Sequence, residues 1–114
     1  MLQGVIGMTG LRWNKAFALE QTADDAELLQ ELISIFKDSC TNDCALIRAG
    51  ISRRDGGQIA SAAHSIKGAA ASLGIEAIRD LAMAIEKDGK EGKIDAVAER
   101  FPELEELLEE MKKL

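Results

Sequence analysis

Apolar residues return every three or four positions through most of this chain, the period of helices that bury one face. The longest such run is Leu28, Leu29, Leu32, Ile33, Phe36, Cys40, Cys44, Ile47 and Ile51. It predicts one helix from about Asp24 to Ile51, with Thr22 leading into an acidic start at Asp24 and Asp25. The polar residues Asp38, Ser39, Thr41, Asn42 and Asp43 are the one candidate break inside it. A shorter helix is predicted from about Arg12 to Glu20, where Trp13 and Phe17 form an i, i+4 pair suited to cap the end of a bundle.

Ser52 to Gly57 reads as a turn, with Arg53 and Arg54 as solvated charges. Ile59, Ala63, Ile66, Ala70 and Leu73 then form a narrow stripe that predicts a helix over Gly57 to Leu73, closed by Gly74 in a left-handed cap. Ile78, Leu81, Ala82 and Ile85 predict the next helix, Ile75 to Lys87, ending near Asp88 and Gly89. Lys87 to Lys93 reads as a polar turn. Ile94, Val97, Phe101, Leu104, Leu107 or Leu108, and Met111 carry a last helix, which Pro102 is expected to interrupt and kink. Its Glu-rich face (Glu103, Glu105, Glu106, Glu109, Glu110) reads as solvated. The fold expected is all-α: an antiparallel up-down four-helix bundle with an additional short N-terminal helix.

Bulk properties narrow this picture without changing it. With 114 residues the chain is one domain, long enough to bury roughly 65% of its unfolded surface. Residues 11–114 are assigned to the bundle, and 1–10, with three glycines and no period, to a flexible lead-in. A net charge of −6 argues against a nucleic-acid partner. No apolar run reaches the length of a membrane span, and the first ten residues lack the pattern of a secretion signal. A cytoplasmic protein is therefore expected. Cys40 and Cys44 share one helical face, but a zinc site needs more ligands and a disulfide at this spacing fits poorly. They read as reduced core residues.

The candidate chemistry sits in the Gly57–Leu73 helix. His64 is the only histidine, and helical geometry places it about 140° from the centre of the apolar stripe, facing outward. Lys67 falls at about 80° and Gly68 at about 180°. An imidazole is a nucleophile and proton carrier near neutral pH. Gly68 costs about 1 kcal/mol in a helix interior relative to Ala, so open access for a partner is one reason for its presence and close helix packing another. Ala60 and Ala71 are small residues assigned to the same open side, as part of a docking surface. Lys67 can neutralise an anionic group placed on the ring. Ser72 and Gly74 read as structural, a local hydrogen bond and a helix stop. No Gly-rich phosphate loop is present, since Gly56-Gly57 lacks the length and the Lys-Ser/Thr ending.

His64-x-x-Lys67-Gly68 followed by Ser72-Leu73-Gly74 resembles the signature of histidine-containing phosphotransfer (HPt) domains, and the resemblance extends from about Leu11 to Leu114. It implies a histidine phosphotransfer module of a multistep two-component phosphorelay: His64 as phosphoacceptor, Lys67 as support for the phosphoryl group, and Ala60, Gly68 and Ala71 as docking positions. The implied partners are response-regulator receiver domains and a hybrid sensor histidine kinase. Magnesium is expected in the receiver's acidic pocket only, with no cofactor on this chain. The protein would be a monomeric carrier without ATP-dependent kinase activity of its own. Three readings stay open beside it. One is the phosphoacceptor domain of a chemotaxis-type kinase, where Phe-Gly commonly stands in place of Leu73-Gly74. Another is a sensor-kinase dimerisation domain, whose usual acidic residue after the histidine is Ser65 here. The last is a helical adaptor with an incidental histidine.

Overall fold

Three side-chain oxygens start three of the helices. In the computed structural model, which describes residues 10–114, Asn14 Oδ1 accepts from the Phe17 amide, Asp25 Oδ1 from Leu28 and Asp55 Oδ1 from Gln58. Each satisfies a backbone donor that the first helical turn leaves unpaired. The helices they open are α1 (Lys15–Gln21), α2 (Ala26–Arg53) and α3 (Gly56–Leu73), followed by α4 (Glu76–Lys90) and α5 (Ile94–Met111). The structure is all-helical. Trp13 and Ile75 form one isolated bridge.

The long helices pack in chain order, α2 on α3, α3 on α4 and α4 on α5, and α5 also reaches α2. Their facing stripes make one core, with Ile33, Phe36, Ile47, Ile59, Ile66, Ile78, Ile85, Val97 and Leu104 almost wholly enclosed. Cys40 and Cys44 are buried free thiols inside it, as their positions on the stripe require. The polar cluster from Asp38 to Asp43 does not break α2. Residues 1–9 of the expected lead-in lie outside the described residues; Leu11 is buried in the core.

Several boundaries differ from the sequence expectation. The short helix begins at Lys15, not Arg12, because residues 12–14 are tied to the α3–α4 corner instead. Trp13 Nε1 donates to the Leu73 carbonyl at 2.9 Å, and the Asn14 amide donates to Gly74 O at 2.7 Å. Trp13 therefore staples this corner and is not an i, i+4 partner of Phe17 within a helix. Thr22 lies at the end of α1, and Asp25 alone caps α2. Gly74 takes the left-handed conformation (φ 71°) expected of a helix stop.

The largest revision concerns glycines read as turn formers. Gly56 is the first residue of α3, and Asp88 and Gly89 lie inside α4, which continues to Lys90. A Cβ placed on Gly56 would stand 2.3 Å from the Gly89 carbonyl oxygen. The two helices cross backbone to backbone there, which only glycine permits. Asp88 is held within α4 by Arg100 of α5, Nε to Oδ2 2.8 Å. The helix α5 runs through Pro102, exposed on its surface, without interruption. Arg54, at the α2–α3 turn, pairs with Asp95 at 3.3 Å, both largely in solvent.

Candidate functional site

His64 stands in the middle of α3 with its side chain 67% exposed. The stripe Ile59, Ala63, Ile66, Ala70, Leu73 is buried beneath it, so the outward direction follows from the helical period as expected. Gly68 is open: a Cβ built there meets nothing within 4 Å. Close helix packing is thereby excluded as the reason for this glycine, and the surface one turn past the ring is bare. Ala71 is exposed on the same helix. Ala60 is not. It is 7% exposed, because α4 crosses α3 at the Gly56–Gly89 contact and covers it. It forms part of a shallow hollow with Gly57, Ser61, His64, Glu86 and Lys90. Ser72 donates to the Gly68 carbonyl at 3.1 Å, the local bond expected of it.

Glu86 of α4 organises the ring from behind. Its carboxylate is nearly buried, and it receives three partners: His64 Nδ1 at 3.0 Å, Lys67 Nζ at 2.7 Å and Lys90 Nζ at 3.1 Å. Lys67, expected to neutralise an anionic group on the ring, has its ammonium on Glu86 Oε1 and is only 29% exposed. The lysine pair, Lys67 foremost, holds the Glu86 carboxyl down at about 2, against the opposing cost of burial. Glu86 is therefore ionised at neutral pH and can only accept. In the neutral imidazole the Nδ1 proton must point at Glu86, which leaves the Nε2 lone pair free. The arrangement is an exposed nucleophilic nitrogen with a fixed tautomer, beside two ammonium groups that share one carboxylate.

Sequence reasoning missed Glu86 and Lys90, which are far from His64 along the chain. One signal was available. Glu86 follows Ile85 and lies four residues after Ala82, at the margin of the buried stripe of α4, and a carboxylate in that position needs cations near it.

Two measurements test this cluster. A Glu86→Gln variant can turn its amide NH2 toward Nδ1 and move the proton to Nε2. Any reaction of His64 as a nucleophile should then slow roughly tenfold or more, as wrong-tautomer variants of catalytic histidines do. The second is urea unfolding followed across pH. The folded value of Glu86 lies below its free value of 4.5, so the cluster stabilises the fold above that pH and the contribution drains away as pH falls toward 2. The wild type should lose more stability over that window than Glu86→Gln. Equal losses would show that Glu86 is not held by its lysines.

Fold and site together define a class, a helical domain whose solvent-facing imidazole is oriented by a buried carboxylate on the neighbouring helix. The family model for the Hpt domain matches residues 31–114, and the chain belongs to that family. Hpt domains carry out histidine phosphotransfer in two-component phosphorelays and interact there with receiver domains and kinases. No curated protein and no solved structure matches the chain. No described helix is long and apolar enough to cross a membrane.

Proposed function

We propose that this chain takes a phosphoryl group from a receiver-domain aspartate onto Nε2 of His64 and passes it to an aspartate of a second receiver. The observation that most supports this is the Glu86 bond to Nδ1 behind a largely exposed ring. In the forward step Nε2 attacks phosphorus in line with the receiver's carboxylate, the N–P bond forms, and the acyl-phosphate P–O bond breaks with the carboxylate leaving. The Nδ1 proton stays on the ring and faces Glu86, so the positive charge of the phosphoimidazole is stabilised by a carboxylate already in place. Lys67 and Lys90 together bring two positive charges against the single charge of Glu86, an excess that favours the incoming phosphoryl group. Gly68 and Ala71 leave room for the partner, and Ala60 contributes only to the hollow under the ring.

The chain works as a monomeric, cytoplasmic carrier, with the upstream group supplied through a hybrid sensor kinase and magnesium held by the receiver. The short connections and the ring of helix neighbours support an up-down four-helix arrangement for α2 to α5. The direct test is to mix the chain with a phosphorylated receiver and follow the label. Transfer should place it on His64 in an acid-labile, base-stable linkage. Label that stays on the receiver, or arrives in an acid-stable ester, ends this reading. Gly68→Gln should slow transfer about tenfold with the helical signal intact, because its side chain would cover the open surface beside the ring. An unchanged rate would remove the access argument.

A further inference from the structure

The seam between α2 and α5 holds a pocket of about 210 Å³ whose lining includes three sulfur side chains, Cys40 and Cys44 of α2 and Met111 of α5. These three are almost wholly enclosed, while Lys37, Arg48, Glu105 and Lys112, which also line the pocket, reach solvent. The sulfurs therefore form its floor and the charged side chains its rim. Two cross-links at that rim fasten α5 to α2: Lys37 Nζ donates to the Lys112 carbonyl at 3.3 Å, and Arg48 pairs with Glu105. Cys40 and Cys44 are one helical turn apart, which sets their Cβ atoms about 5–6 Å from each other on one face. A disulfide fits that spacing poorly, but a single ion can take both sulfurs. None of these residues belongs to the His64 cluster.

We propose that Cys40, Cys44 and Met111 are the ligands of a soft monovalent ion, copper(I), held between α2 and α5. Thiolate and thioether donors select copper(I) over harder ions. Structural zinc takes four donors drawn from Cys, His and carboxylates, and among the described residues no three His, Cys, Asp or Glu side chains are grouped to hold an ion. Copper(I) is satisfied by fewer, softer donors, and the flexible Met111 side chain supplies one from the facing helix. Binding exchanges protons for metal: two S–H bonds break, two Cu–S bonds form, both protons pass to solvent, and the copper stays copper(I). Burial, the largest effect on both thiols, keeps them protonated at neutral pH until the ion arrives. The pair is therefore a poor target for alkylation or oxidation, and only a strongly thiophilic ion displaces the protons. The filled site carries one net negative charge. Arg48 and Lys112 favour the Cys44 anion there, against Glu105 and, for both thiols, Asp43. A bound ion adds a third cross-link between α2 and α5, so occupancy stabilises the fold.

The test uses the full chain under argon, titrated with copper(I) as its acetonitrile complex and competed by bathocuproine disulfonate, a copper(I) chelator. One ion should bind per chain, release two protons into weakly buffered solution and give a thiolate-to-copper charge-transfer band. With free ion held about a hundredfold above Kd, Tm should rise by roughly 10 °C. Cys44→Ala should weaken binding by at least about 100-fold, and Met111→Leu, which conserves core volume, by about tenfold. Met83→Leu, at an exposed position of α4 outside the pocket, should bind like the wild type. Copper retained by a Cys40→Ala/Cys44→Ala double variant overturns the site, as does one ion bridging two chains. Met111→Leu that binds like the wild type overturns the link from α2 to α5. Zinc(II) that raises Tm as far as copper(I) overturns the choice of a soft ion. Should the cysteine variants lose their helical signal, the wild type decides alone: release of fewer than two protons, or no charge-transfer band, overturns the proposal.

Discussion

A His64→Gln variant is expected to leave a phosphorylated receiver domain as fully loaded as buffer alone does, a loss of at least about 10³-fold in transfer. The side chain is 67% exposed and supports no core contact, so the variant should fold and melt like the wild type. No second group can take over. This is the only histidine, and the two thiols are enclosed, with burial pushing Cys44 up to about 11 and Cys40 higher still. Glutamine also retains a polar head that can meet Glu86, so the loss reports the missing nucleophile and not a collapsed cluster. The assay is the decay of receiver-bound phosphate with wild type, variant or neither present. Equal draining by the two proteins would sink the relay.

The second large effect is on stability. Gly56→Ala places a methyl 2.3 Å from the carbonyl oxygen of Gly89. Backbone faces backbone there, so no side chain can swing aside, and α3 and α4 must part. The expected loss is about 3 kcal/mol, which lowers Tm by roughly 12–20 °C in a domain of this size. Gly68→Ala makes the same chemical change in open space, where the added methyl meets nothing within 4 Å. It should stabilise the helix by about 0.5–1 kcal/mol. Opposite signs in two thermal melts would confirm that one glycine serves packing and the other access. Gly56→Ala should also blunt transfer below its melting point, since parting α3 from α4 draws Glu86 away from His64.

How far the site was legible follows from where its parts lie along the chain. His64, Lys67, Gly68 and Ser72 share one helix, and a rotation of 100° per residue orients them without knowledge of any neighbour. The same arithmetic explains the buried cysteines, and glycine's freedom at positive φ explains the left-handed stop at Gly74. It misplaced Ala60, whose surroundings depend on how closely the next helix approaches. It also read Gly56 and Gly89 as turn residues, because a glycine required by a helix crossing and one required by a positive φ look alike in one dimension. Trp13 was assigned to a helix for a similar reason: its Nε1 bond to Leu73 O joins positions 60 residues apart.

Local periodicity by itself determined the all-helical class, the outward aim of the histidine and the core face of each long helix, except that Leu28 and Leu32 of the α2 stripe stay exposed because no described helix covers them. Only the tertiary structure decided which nitrogen of the neutral ring donates to its neighbour. In the neutral ring that nitrogen is Nδ1, because a carboxylate from α4, kept ionised by Lys67 and Lys90, stands 3.0 Å behind it and can only accept. Electrostatic control of this kind falls off over a few ångströms. It is set by the distance between helices, which the Gly56–Gly89 crossing establishes and which no single segment of the chain encodes.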